Sequence, residues 1–270
     1  MRFDVVVVGG GPAGSAAAIT LARGERSVLV VDKAQFPRDK CCGDGLTTMA
    51  LRLGEHLGLD LETLACWQPV DSAVVHSPSG RTTCFPLPSG DSLYAAVVPR
   101  TSYDMALLDL ARSAGAEVRE GCRFTSIGLP GKGVELVIEG LGEVRASNVV
   151  AADGMWSPVR RMLGLPGSES RGEWLAFRQY VSGAGPQAAD LHVWFEADLL
   201  PGYAWSFPLP HGRANVGFGV LRERSGPGRL TGQLATSLLD RPALRAVLGD
   251  EATVENRISA WPIPARLDRT

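Results

Sequence analysis

A run of four valines followed at once by a glycine-rich turn constrains this chain more than any other feature. Residues 5–8 are apolar and β-branched, as expected for a strand buried on both faces of a parallel sheet. Gly9, Gly11 and Gly14 follow in the spacing G-x-G-x-x-G, and residues 15–22 are strong helix formers. This order predicts an anion site, because backbone amides and the positive end of the helix dipole point at the same place.

Each glycine has its own expected role in this βαβ unit. Gly9 allows the tight turn, Gly11 lets a phosphate approach the backbone, and Gly14 lets the helix pack closely on the strand. A second strand, residues 27–31, ends at Asp32, about 20 residues beyond the glycines, where an acid is placed to hold ribose hydroxyls. The candidate cofactor-binding residues of the unit are Gly9, Gly11, Pro12, Ala13, Gly14, Asp32 and Lys33.

Composition excludes several classes of protein. The formal net charge of −2 over 270 residues gives no reason to expect nucleic acid as a partner. The five cysteines are an odd number without zinc-type spacing, so no metal site is predicted. With no secretory signal, they favour a reducing cytoplasm over a disulfide framework. No run of about 18 apolar residues predicts a membrane span.

The remaining pattern predicts an α/β fold in which a Rossmann-like nucleotide-binding domain is interleaved with a second domain of mixed sheet and helix. Helices are predicted at residues 48–57, 100–114 and 230–248. Strands are predicted at residues 72–76, 81–85, 94–98, 115–118, 148–152, 174–180, 191–195, 203–208 and 213–220, with a β-meander over 124–144. The predicted boundaries are 1–69 and 99–166 for the nucleotide-binding domain and 70–98 and 167–270 for the second domain.

Two further stretches resemble a known class of flavoproteins. Residues 149–161, which contain Asp153 and Gly154, resemble the second FAD fingerprint of the para-hydroxybenzoate-hydroxylase-like flavoproteins. Residues 98–104 resemble the arginine motif of the same family. The resemblance implies FAD as the cofactor, with Arg100, Asp153 and Gly154 near its ribityl and pyrophosphate groups. A cation beside a diphosphate and ligands at the carboxyl ends of parallel strands agree with this placement.

Two other motifs narrow the resemblance to the geranylgeranyl-reductase-like flavoproteins. Residues 36–46, Phe-Pro-Arg-Asp-Lys-Cys-Cys-Gly-Asp-Gly-Leu, look like the loop that this family places against the flavin ring. Residues 203–208 and 217–219 look like its Y-x-W-x-F-P…G-x-G substrate-cavity motif. The resemblance implies that Cys42 and Gly43 bind the cofactor. It implies that the substrate-binding residues are Tyr203, Trp205, Phe207, Pro208, Gly217 and Gly219.

The resemblance leaves the chemistry of Cys42 open. Its thiol is a candidate catalytic group that could pack against the flavin ring, donate a proton, or pair reversibly with another thiol; a small buried hydrophobe is an equal alternative. Because Cys41 precedes it, the assignment is ambiguous by one residue. Arg38 and Lys40 could stabilise an anionic reduced flavin or a phosphate, and a solvated loop is an equal alternative.

Strand periodicity supports an apolar cavity on other grounds. Tyr203, Trp205 and Phe207 alternate, so they project from one face of a strand. Asn215, Gly217 and Gly219 also share a face, and glycines beside aromatic rings leave a slot for a chain or a flat ring. Periodicity alone is equally compatible with a sheet that packs its aromatic residues into the core.

The resemblance implies an FAD-dependent reductase that passes hydride to C=C bonds of an isoprenoid or other apolar substrate. NAD(P)H, another reductant or a protein electron donor would load the flavin. The alternatives are a flavin monooxygenase or halogenase acting on an aromatic or polyketide substrate, and a remnant that no longer binds flavin. A lipid substrate suggests contact with a membrane surface, but no polybasic cluster is present to anchor the chain there, so we expect a soluble or weakly peripheral protein.

Flavoproteins of this type carry one more motif, a strand ending in Gly-Asp that leads into a helix facing the pyrophosphate. We look for it after residues 261–264 and find only six more residues. We therefore expect the C-terminal part of the FAD-binding domain to be missing from this chain, with weakened FAD retention and an exposed apolar face as the consequence.

Overall fold

Three sheets and five α-helices make up the described part of the computed structural model, which covers residues 1–88, 90, 92–165, 172–222 and 237–265. The strands are β1 (Arg2–Val8), β2 (Val28–Val31), β3 (Gly45–Leu46), β4 (Gln68–Pro69), β5 (Ser72–His76), β6 (Thr82–Pro86), β7 (Ala96–Val97), β8 (Glu117–Arg119), β9 (Phe124–Gly128), β10 (Val134–Ile138), β11 (Gly142–Ala151), β12 (Trp174–Ser182), β13 (Leu191–Trp194), β14 (Tyr203–Leu209), β15 (Arg213–Leu221), β16 (Thr253–Val254) and β17 (Ser259–Ile263). The helices are α1 (Pro12–Arg23), α2 (Thr48–His56), α3 (Arg100–Ser113), α4 (Pro158–Met162) and α5 (Pro242–Leu248). Within these residues no helix combines the length and the apolar character needed to cross a membrane.

The first sheet is the predicted Rossmann-like unit. Its six strands run in the order β8-β2-β1-β11-β10-β9, with β8, β2, β1 and β11 parallel and β10 and β9 antiparallel. The valines of β1 and β2 are buried because α1 and α3 cover one face of the sheet and the β9–β11 meander continues it. The carboxyl ends of β1, β2 and β11 therefore meet at one edge, where the glycine turn lies.

Strand β11 differs from the prediction. The meander strand and the supposed separate strand at residues 148–152 form one ten-residue strand. Its first half pairs with β10 and its second half with β1. Burial is also less than predicted: Asn148 and Ala151 are exposed, and Val149 and Val150 are only half-buried. Beyond Ala146 the strand has no neighbour on its second edge among the described residues, so that end of it is not enclosed.

The second sheet contains the predicted aromatic strands. Its path is β16-β12-β15-β14-β13-β5-β6, and β17 pairs with β12 beside β16. One face packs on α5, with the stacked rings of Phe177 and Phe218 at its centre, 4.8 Å between centroids. The predicted helix at residues 230–248 is interrupted by a bend and turn at 238–240, and α5 begins at Pro242, which suits the first turn of a helix. Residues 230–236 lie outside the described part.

A small third sheet corrects another prediction. Residues 94–98 were expected as a strand of the second domain, yet only Ala96–Val97 is a strand, and it pairs with β3 and β4. Val97 is fully buried in a cluster with Val70, Tyr180 and Leu209, so this sheet fills the space beside β12 and β14. The loop over residues 36–44 is anchored by β3 at its end. The domain boundaries stay a prediction, and residue 166 is outside the described part.

Candidate active site

A cleft of about 650 Å³ opens where the carboxyl ends of β1, β2 and β11 meet. Nine of the twelve predicted cofactor-binding residues line it: Gly9, Gly11, Pro12, Ala13, Asp32, Lys33, Arg100, Asp153 and Gly154. The three predicted residues that do not line this cleft are Gly14, Cys42 and Gly43. Ser259, Ala260 and Trp261 of β17 also line it. The cleft thus joins the first sheet to the edge of the second.

The glycine turn is held in a shape that only glycine allows. Gly9 has a φ of +109°, and a Cβ there would lie 2.3 Å from the carbonyl oxygen of Ala152. A Cβ on Gly14 would lie 1.8 Å from the carbonyl oxygen of Gly9, which accounts for the close packing of α1 on β1. Helix α1 starts at Pro12 without a side-chain cap, so its first amides are left for an acceptor in the cleft.

Asp32 braces this turn. Its Oδ2 accepts a hydrogen bond from the amide of Gly10 and its Oδ1 one from the amide of Ala34, both at 2.8 Å. Each carboxylate oxygen keeps a second lone pair, so the predicted bonds to ribose hydroxyls are still available to it.

Two arginines of the cleft share one buried acid that the sequence analysis missed. The Asp104 side chain is 0% exposed; its Oδ1 and Oδ2 accept from Nε and Nη2 of Arg100 at 2.6 and 2.8 Å, and Nη1 of Arg38 lies 2.9 Å from Oδ2. Burial lowers the pKa of Arg100, but its bonds and charge contact with Asp104 outweigh this, and the pKa is raised. The Arg100 guanidinium is therefore a fixed cation, and Arg38 is held beside it by the same acid. The i, i+4 spacing of Arg100 and Asp104 on α3 was the available signal.

The residues of the cleft fit a dinucleotide with a diphosphate and hydroxyl groups. Lys33, Arg38 and Arg100 bring positive charge to the uncapped start of α1. Asp153 accepts a hydrogen bond from the amide of Val159 at 3.1 Å through Oδ2, while its buried Oδ1 has no partner among the described residues. An orphaned carboxylate oxygen of this kind is an acceptor for a ligand hydroxyl.

The loop that carries the two cysteines separates them. Cys41 lines the cleft; its thiol donates to the carbonyl of Ser259 at 3.4 Å, and burial raises its pKa to about 11. Cys42 does not line the cleft: its carbonyl accepts from Nδ2 of Asn215 at 2.9 Å, and its thiol is one of the groups that raise the pKa of Arg100. All five cysteines are free thiols. The predicted roles of Cys42 stay predictions.

Lys40 and Trp261 are neighbours in the lining of the cleft. Its ammonium lies 3.0 Å from the ring centroid of Trp261. Burial, followed by the charges of Arg38 and Arg100, lowers the pKa of Lys40 to about 8.

The aromatic residues of β14 share a face, as alternation predicts. Ring centroids of Tyr203 and Trp205 are 6.0 Å apart, and those of Trp205 and Phe207 are 6.1 Å apart. Pro208 alternates onto the opposite face of the strand, where it is buried opposite Ala214. It is therefore not brought together with the aromatic face.

The two predicted glycines of β15 behave differently. A Cβ on Gly217 would lie 2.3 Å from Cζ2 of Trp205, so the indole occupies the space above this glycine. No described atom lies within 4 Å of the position of a Cβ on Gly219, which pairs with Tyr203. Tyr203 is 41% exposed. Open space beside the aromatic face is thus found at the Gly219 end.

The cysteine loop contacts the aromatic face directly. Cβ atoms on Gly43 and Gly45 would each lie 3.2 Å from Cε2 of Phe207, so the loop passes over this ring on both sides of Asp44. Two motifs that are about 160 residues apart in the sequence therefore form adjoining walls.

Asp44 and its partners form a buried polar cluster that the sequence analysis did not single out. Oδ2 of Asp44 accepts from the Tyr180 hydroxyl at 2.6 Å and from Nδ2 of Asn215 at 2.8 Å, and Oδ1 of Asn215 accepts from Nε1 of Trp205 at 3.0 Å. Burial raises the pKa of Asp44 to about 6. Burial of the Tyr180 hydroxyl, together with the nearby charge of Asp44, raises the pKa of Tyr180.

Comparisons with known proteins agree with this geometry. A family model described as "FAD binding domain" matches residues 2–198. A menaquinone reductase of Mycolicibacterium smegmatis is 37% identical over 242 residues, covering 84% of this chain and 57% of that protein. Digeranylgeranylglycerophospholipid reductase 2 of Methanopyrus kandleri is 34% identical over 278 residues, covering 100% of this chain and 68% of that protein. The chain thus spans between 57% and 68% of the length of these two relatives.

Solved structures with this fold include reductase-like and halogenase proteins. A geranylgeranyl bacteriochlorophyll reductase-like protein from Thermoplasma acidophilum is 25% identical with a TM-score of 0.81, covering 96% of this chain and 65% of that one. The halogenase PltM, in complex with phloroglucinol and FAD, is 20% identical with a TM-score of 0.79, covering 97% and 60%. The second likeness shows the fold alone.

Proposed function

Because this chain belongs to the family of flavoproteins built on the FAD-binding domain, we propose that the protein is an FAD-dependent reductase of C=C bonds in an isoprenoid or other apolar substrate. When bound and reduced by NAD(P)H or another donor, FAD would supply the hydride that adds to one alkene carbon, and a proton added to the other carbon would complete the reduction. The observation that carries the proposal is the contact between the cysteine loop beside the cleft and the aromatic face of β14. It provides a hydrophobic wall next to a cofactor site.

The residues of the cleft would hold the cofactor by charge and by backbone donors. The amides at the start of α1, with Arg38 and Arg100 oriented by Asp104, would bind the diphosphate. Asp32 and the unpartnered Oδ1 of Asp153 would accept hydrogen bonds from hydroxyl groups. Lys33 adds a further cation to the same wall.

The aromatic face would bind the apolar substrate and exclude water. Tyr203, Trp205 and Phe207 offer large ring surfaces, and the open position at Gly219 gives a chain a place to enter between Tyr203 and β15. A dry wall next to the cofactor limits competing reactions with solvent.

An anaerobic absorbance experiment tests the proposal. The purified protein loaded with FAD should lose its flavin bands on addition of NAD(P)H or dithionite and regain them when an isoprenoid alkene is added without oxygen. Reoxidation by oxygen alone would favour a monooxygenase or halogenase instead. A protein that is colourless after incubation with FAD and removal of the unbound cofactor would contradict both enzyme proposals. It would support the alternative of a remnant that no longer binds flavin.

A further inference from the structure

The buried cluster around Asp44 connects the cysteine loop to the aromatic face. Asn215 uses all of its polar atoms: Nδ2 donates to Asp44 Oδ2 and to the carbonyl of Cys42, and Oδ1 accepts from the Trp205 indole. Reversing the amide would place its oxygen against two acceptors, so this orientation is set by its neighbours. A displacement of Asp44 therefore reaches Trp205 through a single side chain.

The backbone at Asp44 is also unusual. Its φ is +64°, a left-handed conformation that favours glycine, and the residue is 1% exposed. Its carbonyl accepts from the amide of Val98 at 2.9 Å, which adds to the pairing of β3 with β7. This conformation is held by the hydrogen bonds to Oδ2 and to the backbone carbonyl, and the residue lies between two glycines that pass over Phe207.

We propose that Asp44 is a positioning residue that fixes the loop of Cys42 and Gly43 against the aromatic face of β14 and sets the orientation of Trp205 through Asn215. The assignment rests on the proposed function only in that the loop and the face are the walls of the proposed reaction site. It goes beyond that function because it assigns a role to a carboxyl that does not line the cofactor cleft.

The two oxygens of Asp44 have different surroundings. Oδ2 receives both donors, while Oδ1 is buried without a partner among the described residues. A proton on Oδ1 leaves one unpaired O–H, whereas ionisation leaves a poorly solvated charge, which costs more. Burial of Oδ1 without a partner favours the acid form, whereas the two hydrogen bonds donated to Oδ2 favour the ionised form. Burial has the larger effect and raises the pKa of Asp44 to about 6.

Other titratable groups facing Asp44 act in both directions. Arg178 on β12 is fully buried, stacks 4.2 Å from the Tyr180 ring, pairs with Asp39, and favours the ionised form of Asp44. The nearby charge of Asp39 favours the acid form. The titratable and charged groups around the cluster are Tyr180 and Arg178 on β12, Asp39 and Cys42 on the same loop, Arg213 on β15 with its partner Glu255, and Cys66 ahead of β4.

The test follows the indole ¹H–¹⁵N signal of Trp205, assigned by its loss in Trp205→Phe, in the FAD-loaded protein. In the wild type the signal should shift with a midpoint near pH 6, because ionisation of Asp44 changes the bond that Asn215 makes. Asp44→Asn should keep the low-pH position of the signal at every pH, since a carboxamide copies the acid form. Asp44→Ala should lose that position.

Asp39→Asn is the matched control. It removes a neighbouring carboxylate from the same loop without touching Asn215, so the transition should persist with a lower midpoint. The assignment would be overturned if the position of the wild-type signal did not change across pH 6. It would also be overturned if Asp44→Asn still showed the pH transition with the wild-type midpoint. The experiment needs no substrate turnover, so its failure is separable from a failure of the reductase proposal.

Discussion

Asp104→Asn tests whether the two arginines of the cleft depend on one buried acid. The wild-type carboxylate has three contacts with guanidinium nitrogens, at 2.6, 2.8 and 2.9 Å. The amide keeps one acceptor oxygen and turns an N–H toward a guanidinium donor, so up to two contacts are lost. Hydrogen bonds to charged groups contribute about 1.5–3 kcal/mol each, although water can reach Arg100 and Arg38, which are 17% and 20% exposed. We therefore expect the free energy of unfolding to fall by about 2–3 kcal/mol.

Asp109→Asn is the control on the same helix. Its carboxylate also pairs with an arginine, Arg112, at 2.6 Å, but the Asp109 side chain is 51% exposed. The free energy of unfolding should therefore fall by about 0.5 kcal/mol or less. Urea unfolding of both variants, without added FAD and followed by circular dichroism, gives the comparison. If the free energy of unfolding fell equally in the two variants, the buried position of Asp104 would not strengthen its contacts with the arginines, and the prediction would be refuted.

Three further predictions address the cofactor, the substrate and pH. Arg100→Gln should weaken FAD binding, measured by calorimetry, about tenfold or more. Arg112→Gln, on the same helix and outside the cleft, should leave the affinity unchanged. Equal affinities of the two variants would contradict the assigned diphosphate contact. Gly219→Leu should raise KM for an apolar alkene severalfold and leave the flavin spectrum unchanged, because it fills the open position; an unchanged KM would exclude that entry. His76 and His192 are hydrogen-bonded at 3.0 Å, and burial lowers the pKa of both, with the charge of His192 also acting on His76. Because folding favours their neutral forms, the free energy of unfolding should fall as the pH drops below about 6.5. Urea unfolding should show a smaller fall in His76→Gln than in the wild type. An equal fall in both would contradict a contribution of this histidine pair to the pH dependence.

The parts of the site predicted from sequence have local signals. Gly9, Asp32 and Asp153 each follow the end of a parallel strand, and Arg100 begins a helix, so a few neighbouring residues are enough to bring them to one edge. Strand alternation likewise predicts the shared face of the aromatic residues on β14, and the same alternation puts Pro208 on the other face.

The parts that were missed depend on contacts between distant segments. Tyr180 meets Asp44 across 136 residues, and Asn215 meets it across 171. No spacing or periodicity in the sequence predicts such a hydrogen bond, because the position of β12 and β15 relative to the cysteine loop is set only when the sheets assemble. Strand β11 was divided in two for a related reason: it changes partner from β10 to β1 partway, and the pattern of burial changes with it.

The loop that passes over Phe207 has a consequence for how the sequence of this protein can diversify. Gly43 and Gly45 lie against that ring, and the preceding residues of the same loop, 38–41, line the cleft. A substitution at either glycine is therefore expected to affect both sites. Under the proposed function, new substrate preferences are then easier to acquire at Tyr203 and Gly219, at the far end of the strand, where side chains can change size without altering the loop. Among relatives that share FAD chemistry, we expect variation to concentrate at that end and the loop to stay fixed in length.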